Sequence, residues 1–322
     1  MFIWLKSSLK RKDNATVKPF IWSLFHWRLK EGQIPIAKQQ DLLEQGISQD
    51  ELNLYINYHY KKCFFYLIIY ISCAQFLQSF APDVSDIPYP IRVIKFVYDG
   101  TPFISLFELF YCYIYASVIC FSMIYIYEVT LIVSSYLLSY IYSTPNSLLC
   151  TKLTKDQLDS FKLWLISLLF YSKPIYNQPY LSKNPNDFWN NRWHQCLKVL
   201  FVELGYKPIL SFSPFKLQKF FGILAAFTVS GILHEYLLYS SNRYLTLEQF
   251  TFFWFQAIVL IIWDFTMNSK EEKTKEDQEH VLKKIRNILF MNIFAIFTIP
   301  WFMEPYIRCE HYNTVMHFVK KN

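Results

Sequence analysis

Glycine is scarce in this chain, with only 6 among 322 residues. Neither a GxGxxG nor a P-loop pattern occurs, so nucleotide binding through a glycine-rich loop is not expected. The 7 cysteines form no CxxC pair. Most of them lie in apolar runs, where a free cysteine behaves as a small hydrophobic residue. The sequence therefore predicts neither a disulfide framework nor a metal site.

Positive charge is absent from five long apolar runs, although the chain carries 32 Lys and Arg residues. A membrane span needs about 20 mostly apolar residues. Since 53% of the chain is hydrophobic, the runs are read as spans. We predict an all-α fold, a multi-pass integral membrane helical bundle with about 5–7 membrane helices plus interfacial helices. The predicted spans are 63–80, 102–142, 220–240, 249–267 and 287–303.

Two apolar stretches do not have the length of an ordinary span. The run 102–142 is too long for one, and it is either a single long tilted helix or a span followed by an interfacial helix. The stretch 161–170 is too short to cross a bilayer. We expect it to form a helix that lies at the membrane interface or is buried against the bundle.

The distribution of positive charge between the runs predicts an orientation. Segments 1–62, 143–219 and 268–286 are rich in Lys and Arg and are expected on the cytoplasmic side. This divides the chain into a cytoplasmic segment, 1–62, and a membrane domain, 63–322. The net charge of +7 suits anionic lipid head groups, and no nucleic-acid partner is expected because the basic residues are scattered.

His234 stands out because it lies inside the predicted span 220–240. Ionisable groups at membrane depth are costly, and they usually face a cavity or a partner. Ser230 is one helical turn earlier on the same face, and Gly231 allows another backbone or a ligand to come close. Glu235 points roughly 100° away and is not expected to pair directly with His234. The alternative is a histidine that is satisfied inside the bundle.

A second polar and aromatic cluster occupies residues 186–194. Asn186 or Asp187 is expected to cap a helix that begins near Phe188. On such a helix the aromatic residues Trp189 and Trp193 would lie one turn apart. The polar residues Asn190 and His194 would also lie one turn apart. The alternative is an aromatic anchor at the membrane interface, where tryptophan is common.

The segment before this cluster favours a site over an anchor. Residues 171–185 contain Pro174, Pro179 and Pro185, so an irregular backbone is expected there. Irregular backbone near a bilayer must line a cavity or be buried in protein. The sequence therefore indicates a chamber that opens to the cytoplasm, in the motif region 180–240.

Two motifs carry a family resemblance: DFWNNRWH at 187–194 and SGILHE at 230–235, with their histidines 40 residues apart. In this order and spacing they resemble the membrane-bound O-acyltransferase superfamily, and within it the wax synthase-like branch of plants and fungi. Fainter similarity is present at 25–35 and 168–174. The resemblance begins near residue 20, so we expect a chain that is shorter at its N-terminus than usual members. Asn191 stands where a basic residue is usual.

The resemblance implies a reaction that moves an acyl group from acyl-coenzyme A to a lipophilic alcohol, as in wax ester synthesis. It implies that His234 is the base for the hydroxyl proton and that His194 orients the acyl donor or polarises its carbonyl. No cofactor is expected, since acyl-CoA is a co-substrate. The residues expected to bind substrate are Trp189, Asn190, Arg192, Trp193, Ser230 and Glu235.

The coenzyme A head is expected near Lys183, Arg192 and Lys198, on the cytoplasmic side. The membrane is expected to be the endoplasmic reticulum. The alternative function is a non-catalytic or degenerate multi-pass membrane protein that binds lipid or transports a small molecule.

Overall fold

The computed structural model describes residues 42–43, 46–171, 174–210, 218–267 and 277–309. Within these ranges every regular element is helical, which confirms the predicted all-α class. The main α-helices are α1 (Gln49–Ser79), α2 (Tyr89–Asp99), α3 (Leu106–Ser143), α4 (Lys155–Ile166), α5 (Gln195–Phe201), α6 (Gln218–Asn242), α7 (Glu248–Met267) and α8 (Asp277–Arg308). Shorter helical turns are Leu148–Lys152, Pro179–Leu181, Pro185–Asp187 and Lys207–Leu210, and π-helical turns are Ser167–Tyr171, Phe188–Arg192 and Val202–Tyr206.

Four of the described helices are long and apolar enough to cross a membrane. They span Leu106–Ser143, Gln218–Asn242, Glu248–Thr266 and Val281–Arg308. Each overlaps most of one predicted apolar run, so the chain is a helical membrane protein as predicted. The N-terminal segment 1–41 and residues 268–276 lie outside the described residues, and the predicted cytoplasmic placement of the basic segments stays a prediction.

The fifth predicted span, 63–80, is the C-terminal part of α1, which is not one of the four candidates. The helix is long enough, with 31 residues. Gln75 and Gln78 interrupt its apolar part. The run is helical as predicted up to Ser79, but the helix begins earlier, at Gln49.

The longest apolar run forms one continuous helix, α3, of 38 residues. At 1.5 Å per residue it is about 57 Å long, well beyond the roughly 30 Å of a hydrocarbon core. Of the two alternatives left open for 102–142, the single long helix is the one observed. A helix of this length must extend past the hydrocarbon region, even when it is tilted.

The chain divides into two compact units, each of which is described by itself. The first comprises residues up to Ile71 and Cys120–Ile175. Its hydrophobic core includes Leu165 and Ile166 at the end of α4 and Leu168 and Leu169 in the following π-helical turn. Residues 165–169 of the short apolar stretch are therefore buried in protein, in agreement with one of the two alternatives predicted for 161–170, whereas Phe170 at its end is exposed.

The second unit comprises Ser72–Ile119 and the chain from Tyr176 onward. Helices α6 and α7 run antiparallel within it. Lys219 contacts Asp264 at one end of the pair, and Glu235 contacts the backbone of Gln249 at the other. Helix α8 continues this arrangement against α7 through aromatic contacts such as Phe255 with Phe294. The whole motif region 180–240, as far as it is described, lies in this unit.

Candidate active site

The approach to the first motif is irregular, as the three prolines predicted. Residues 174–184 contain only one short helical turn, Pro179–Leu181, and Gln178 before it has a left-handed φ of 46°. The segment is tied to the motif that follows, because the backbone N–H of Asn177 donates to the carbonyl of Arg192 over 2.9 Å. The loop is therefore fixed against the motif by its own backbone.

The helical turn of the motif begins earlier than predicted. Asn184 is the N-cap, and its side chain accepts from the backbone N–H of Asp187 over 2.7 Å. Pro185 follows at the first helical position, where its lack of an N–H costs nothing. The predicted cap at Asn186 or Asp187 is therefore wrong, since Pro185 favours the first helical position and so makes the residue before it, Asn184, the cap.

The aromatic stripe predicted for Trp189 and Trp193 is also wrong. Residues Phe188–Arg192 form a π-helical turn, in which Trp193 N–H donates to the carbonyl of Phe188 over 2.8 Å. This wider turn brings residues five apart together, and Phe188 stacks on Trp193 with ring centres 5.2 Å apart. Single π-turns are frequently found at functional sites.

Asp187 and Arg192 hold this turn together. Arg192 Nε donates to Asp187 Oδ2 over 2.8 Å, and its Nη1 donates to the carbonyls of Asn177 and Gln178, each over 3.2 Å. Burial would raise the pKa of the Asp187 carboxyl, but hydrogen bonds from Arg192, Lys183 and Asn191 outweigh it and lower the pKa. Asn190 is engaged as well, since Lys198 Nζ donates to its carbonyl over 2.9 Å. The structure thus gives Arg192 and Asn190 a role in shaping the loop, and their predicted substrate contacts stay predictions.

His194 follows the π-turn in a strained conformation, with a φ of 41°. Left-handed backbone is uncommon for a residue other than glycine, and such strain concentrates at functional sites. Its Nε2 lies 3.3 Å from the hydroxyl of Tyr176, while its Nδ1 is buried with no hydrogen-bond partner. Burial lowers the pKa of His194 to about 4, so its imidazole is neutral at physiological pH.

His234 lies near the middle of α6, among aromatic rings. It stacks on Phe253 of α7 with ring centres 4.8 Å apart, and Phe302 of α8 meets it edge-on at 5.1 Å. Its Nδ1 is likewise buried without a partner. Ring contacts connect it to His194 through Phe253, Trp189, Phe188 and Trp193, with neighbouring ring centres 4.8–6.1 Å apart. The structure therefore places the two histidines that the sequence singled out in one aromatic group.

Trp189 is connected to the same aromatic group through Phe253. Its ring lies 6.1 Å from Phe253 and 5.2 Å from Phe227 of α6. The sequence did not single out Phe253, Phe302 or Tyr176. Phenylalanines are too frequent in this chain, with 31 of them, for one to attract attention. Tyr176 had a usable signal, because it lies in the proline-rich approach to the first motif.

The second motif supports the site through its backbone contacts. A Cβ on Gly231 would lie 3.0 Å from the Cα of Phe250, so the absence of a side chain lets α7 pack close to α6. Glu235 Oε1 accepts from the N–H groups of Gln249 and Phe250 over 2.9 and 3.3 Å, which caps the start of α7. Glu235 therefore has a partner other than His234, as expected. Ser230 is buried, and the substrate contacts predicted for it and for Glu235 stay predictions.

Among the described residues no group of three or more His, Cys, Asp or Glu side chains could hold a metal ion. The two histidines and their aromatic neighbours are instead suited to acid–base chemistry on an apolar substrate. One neutral imidazole nitrogen of each is buried and without a partner, so each can accept or donate a hydrogen bond to a bound molecule.

Residues 172–256 match the sequence model of the membrane bound O-acyl transferase family. This range contains both motifs, both histidines and Phe253. It is also the part of the chain in which the fold brings these residues together. The family match and the geometry therefore coincide on one segment.

Curated proteins of Arabidopsis thaliana are similar to about two fifths of the chain. The probable long-chain-alcohol O-fatty-acyltransferase 6 is 31% identical over 138 residues, which cover 41% of this chain and 38% of that protein. The probable long-chain-alcohol O-fatty-acyltransferase 3 is 27% identical over 140 residues, 42% of this chain and 40% of the relative. Acyl-CoA–sterol O-acyltransferase 1 is 27% identical over 143 residues, 43% of this chain and 40% of the relative.

The matched segment thus spans about two fifths of the length of these relatives. The family match at 172–256 contains the motifs at 187–194 and 230–235. The comparisons confirm the resemblance to the membrane-bound O-acyltransferase superfamily and, within it, to the wax synthase-like branch.

Proposed function

We propose that this chain transfers an acyl group from acyl-coenzyme A to the hydroxyl group of a lipophilic alcohol within the membrane. The observation that carries the proposal is the pair His194 and His234. They belong to one group of contacting aromatic rings, and each keeps a buried ring nitrogen that has no hydrogen-bond partner among the described residues. Buried polar atoms in proteins are almost always satisfied, so two unsatisfied ones in one aromatic group indicate a place for substrate.

In the proposed reaction, the unpartnered Nδ1 of His234 accepts the proton of the alcohol as its oxygen attacks the thioester carbon. The carbonyl oxygen becomes negative, and His194 stabilises that charge by a hydrogen bond. The carbon–sulfur bond then breaks. The coenzyme A thiolate takes the proton from His234, which returns the imidazole to its neutral form. No covalent intermediate with the protein is needed.

The surroundings suit the two substrates differently. The aromatic side chains of Trp189, Phe253 and Phe302 provide apolar surface for the acyl chain and the alcohol. The anionic coenzyme A head requires positive charge. Of the three basic residues predicted near it, Lys183 is exposed, whereas Arg192 and Lys198 are partly buried and bonded to the loop. Lys183 is therefore the strongest candidate for that contact.

The relatives suggest the class of acceptor. Their names refer to long-chain alcohols and, in one case, to a sterol. Both are lipophilic molecules with a hydroxyl group, and the proposal includes a long-chain alcohol as the first acceptor to test. We also propose that the protein resides in the endoplasmic reticulum, and fluorescence microscopy of a tagged chain would test this location.

The experiment is an acyl-transfer assay on the purified full chain with radiolabelled palmitoyl-CoA. Hexadecanol, a plant sterol and diacylglycerol serve as acceptors, and the variant His234→Ala serves as the blank. We expect labelled ester with at least one acceptor and none above background with the variant. Equal ester formation by the chain and the variant, or no ester with any acceptor, would contradict the proposal.

A further inference from the structure

The two ring nitrogens of His194 are in different environments. Nε2 lies 3.3 Å from the hydroxyl of Tyr176. Nδ1 is buried and has no hydrogen-bond partner in the part of the chain that the structure describes. A neutral imidazole carries one proton, so one of these nitrogens is a donor and the other an acceptor. The hydrogen bond made by one nitrogen decides which of them carries the proton.

The hydroxyl of Tyr176 can determine which nitrogen of His194 carries the proton. A phenol hydroxyl is a better donor than acceptor, and the bare nitrogen of a neutral imidazole is a good acceptor. Donation from the Tyr176 hydroxyl to Nε2 therefore places the proton of His194 on Nδ1. The nitrogen that has no protein partner then presents an N–H to whatever lies beside it.

We infer that Tyr176 is a positioning residue that holds His194 as the Nδ1–H tautomer, so that His194 donates a hydrogen bond to the thioester carbonyl oxygen. The inference rests on the proposed function for the identity of the acceptor atom. It divides the work between the two histidines. His234 accepts the proton of the alcohol, while His194 stabilises the negative oxygen and transfers no proton of its own.

The surroundings of Tyr176 suit this role. Its ring is tilted against Trp193 and against His194, in both cases with ring centres 5.0 Å apart. The next residue, Asn177, is fixed by its backbone bond to Arg192. His194 itself has a left-handed backbone, which restricts how its side chain can turn. Contacts of both residues thus restrict the position of the Tyr176 hydroxyl relative to Nε2 of His194.

The hydrogen bond also fits the direction of the reaction. In the thioester the carbonyl oxygen is a weak acceptor, and it becomes a strong one as the alcohol oxygen adds to the carbon. A donor fixed in a buried place gains strength as this charge develops and needs no reorganisation. When the carbon–sulfur bond breaks, the oxygen returns to a neutral ester carbonyl and the N–H of His194 is unchanged.

The direct test is ¹⁵N NMR of the full chain in micelles, with ¹⁵N in the histidine rings. The signals of His194 are identified by their loss in His194→Asn. We expect a protonated Nδ1 and a bare Nε2 for His194, and a shift towards the other tautomer in Tyr176→Phe. A wild-type His194 that carries its proton on Nε2 would overturn the inference. This measurement needs no substrate, so it decides the tautomer even if acyl transfer is absent.

The kinetic test compares Tyr176→Phe with Tyr180→Phe, a control in the same loop whose side chain is exposed. Tyr176→Phe keeps the ring and removes only the hydroxyl. We expect kcat to fall roughly ten- to a hundredfold with KM for acyl-CoA nearly unchanged, because the lost interaction is made in the transition state. Tyr180→Phe should behave as the wild type. Unchanged kcat in Tyr176→Phe would overturn the inference, whereas an inactive wild type would overturn the proposed function.

Discussion

Two buried histidine environments in this protein differ in one respect. In the first unit, His59 Nδ1 pairs with the carboxylate of Glu128, and Lys62 lies 3.8 Å from the other oxygen of that carboxylate. The ring of Tyr55 covers His59 at 4.2 Å. In the second unit, His194 and His234 have aromatic neighbours, and neither has a carboxylate partner among the described residues.

The difference separates a structural histidine from a chemical one. His59 is satisfied by protein, so its burial is compensated and its environment is complete. His194 and His234 are left with buried nitrogens that cost free energy in the absence of a partner. Proteins tolerate such a cost where a ligand supplies the missing hydrogen bond. The same residue type therefore has opposite meanings in the two units.

The largest expected effect on stability comes from breaking the first environment. His59→Ala leaves the buried carboxylate of Glu128 without its closest partner, which should lower the free energy of unfolding by about 3–5 kcal/mol. Unfolding in detergent, followed by circular dichroism, measures it. The double variant His59→Leu with Glu128→Met removes both polar groups and should recover most of the loss. If the single variant is as stable as the wild type, the pair is not structural.

Acid should destabilise the protein through His194. Its pKa is lowered from 6.5 to about 4 in the folded chain, so the unfolded chain binds more protons between these pH values. The free energy of unfolding should therefore fall as the pH drops from 6.5 to 4, by roughly 3 kcal/mol for this group. His194→Asn lacks the titrating ring, and its stability should change correspondingly less over this range. Parallel pH profiles for the two proteins would contradict the assignment.

A smaller effect is expected from closing the gap between α6 and α7. Gly231→Ala places a methyl group 3.0 Å from the Cα of Phe250, so the backbone of α7 must shift, and Phe253 lies three residues further along that helix. We expect a loss of about 1–3 kcal/mol in stability and a lower turnover, because Phe253 stacks on His234. Ile232→Ala, at the exposed neighbouring position, is the control for unfolding and activity. Wild-type turnover in Gly231→Ala would argue against a close α6–α7 contact.

The smallest effect is expected at the exposed end of the same helix pair. Lys219 Nζ lies 2.6 Å from Asp264, but the Lys219 side chain is 65% exposed. Such pairs contribute little because water screens the charges and the long side chain loses freedom. Lys219→Ala should change the free energy of unfolding by less than about 0.5 kcal/mol and leave turnover unchanged. If Lys219→Ala lowers the free energy of unfolding as much as His59→Ala does, solvent exposure does not explain the difference between the Lys219–Asp264 and His59–Glu128 pairs.

The helical class and the two key histidines could be predicted from the sequence. Long apolar runs without Lys or Arg leave few alternatives to membrane helices. His234 is visible because an ionisable residue interrupts such a run, and His194 gained weight from the motif around it. Both signals depend on residues that are close together in the chain.

The arrangement around them could not be predicted in the same way. A π-turn at Phe188–Arg192 differs from an α-helix only by one extra residue per turn, and no residue type marks it reliably. Because of this turn, Trp193 stacks on Phe188 and not on Trp189, which an α-helix would have placed next to it. Phe253 reaches His234 from another helix, and contacts of this kind depend on tertiary packing that a single sequence does not encode locally.

The most direct test of the comparison measures two variants with two readouts. Acyl transfer per folded molecule and the free energy of unfolding are determined for His234→Ala and His59→Ala. The account predicts a crossed result. His234→Ala should lose at least about a thousandfold in turnover and keep its stability, whereas His59→Ala should lose stability and keep its turnover. It is contradicted if His234→Ala loses activity only in proportion to unfolded protein, or if His59→Ala abolishes turnover in molecules that remain folded.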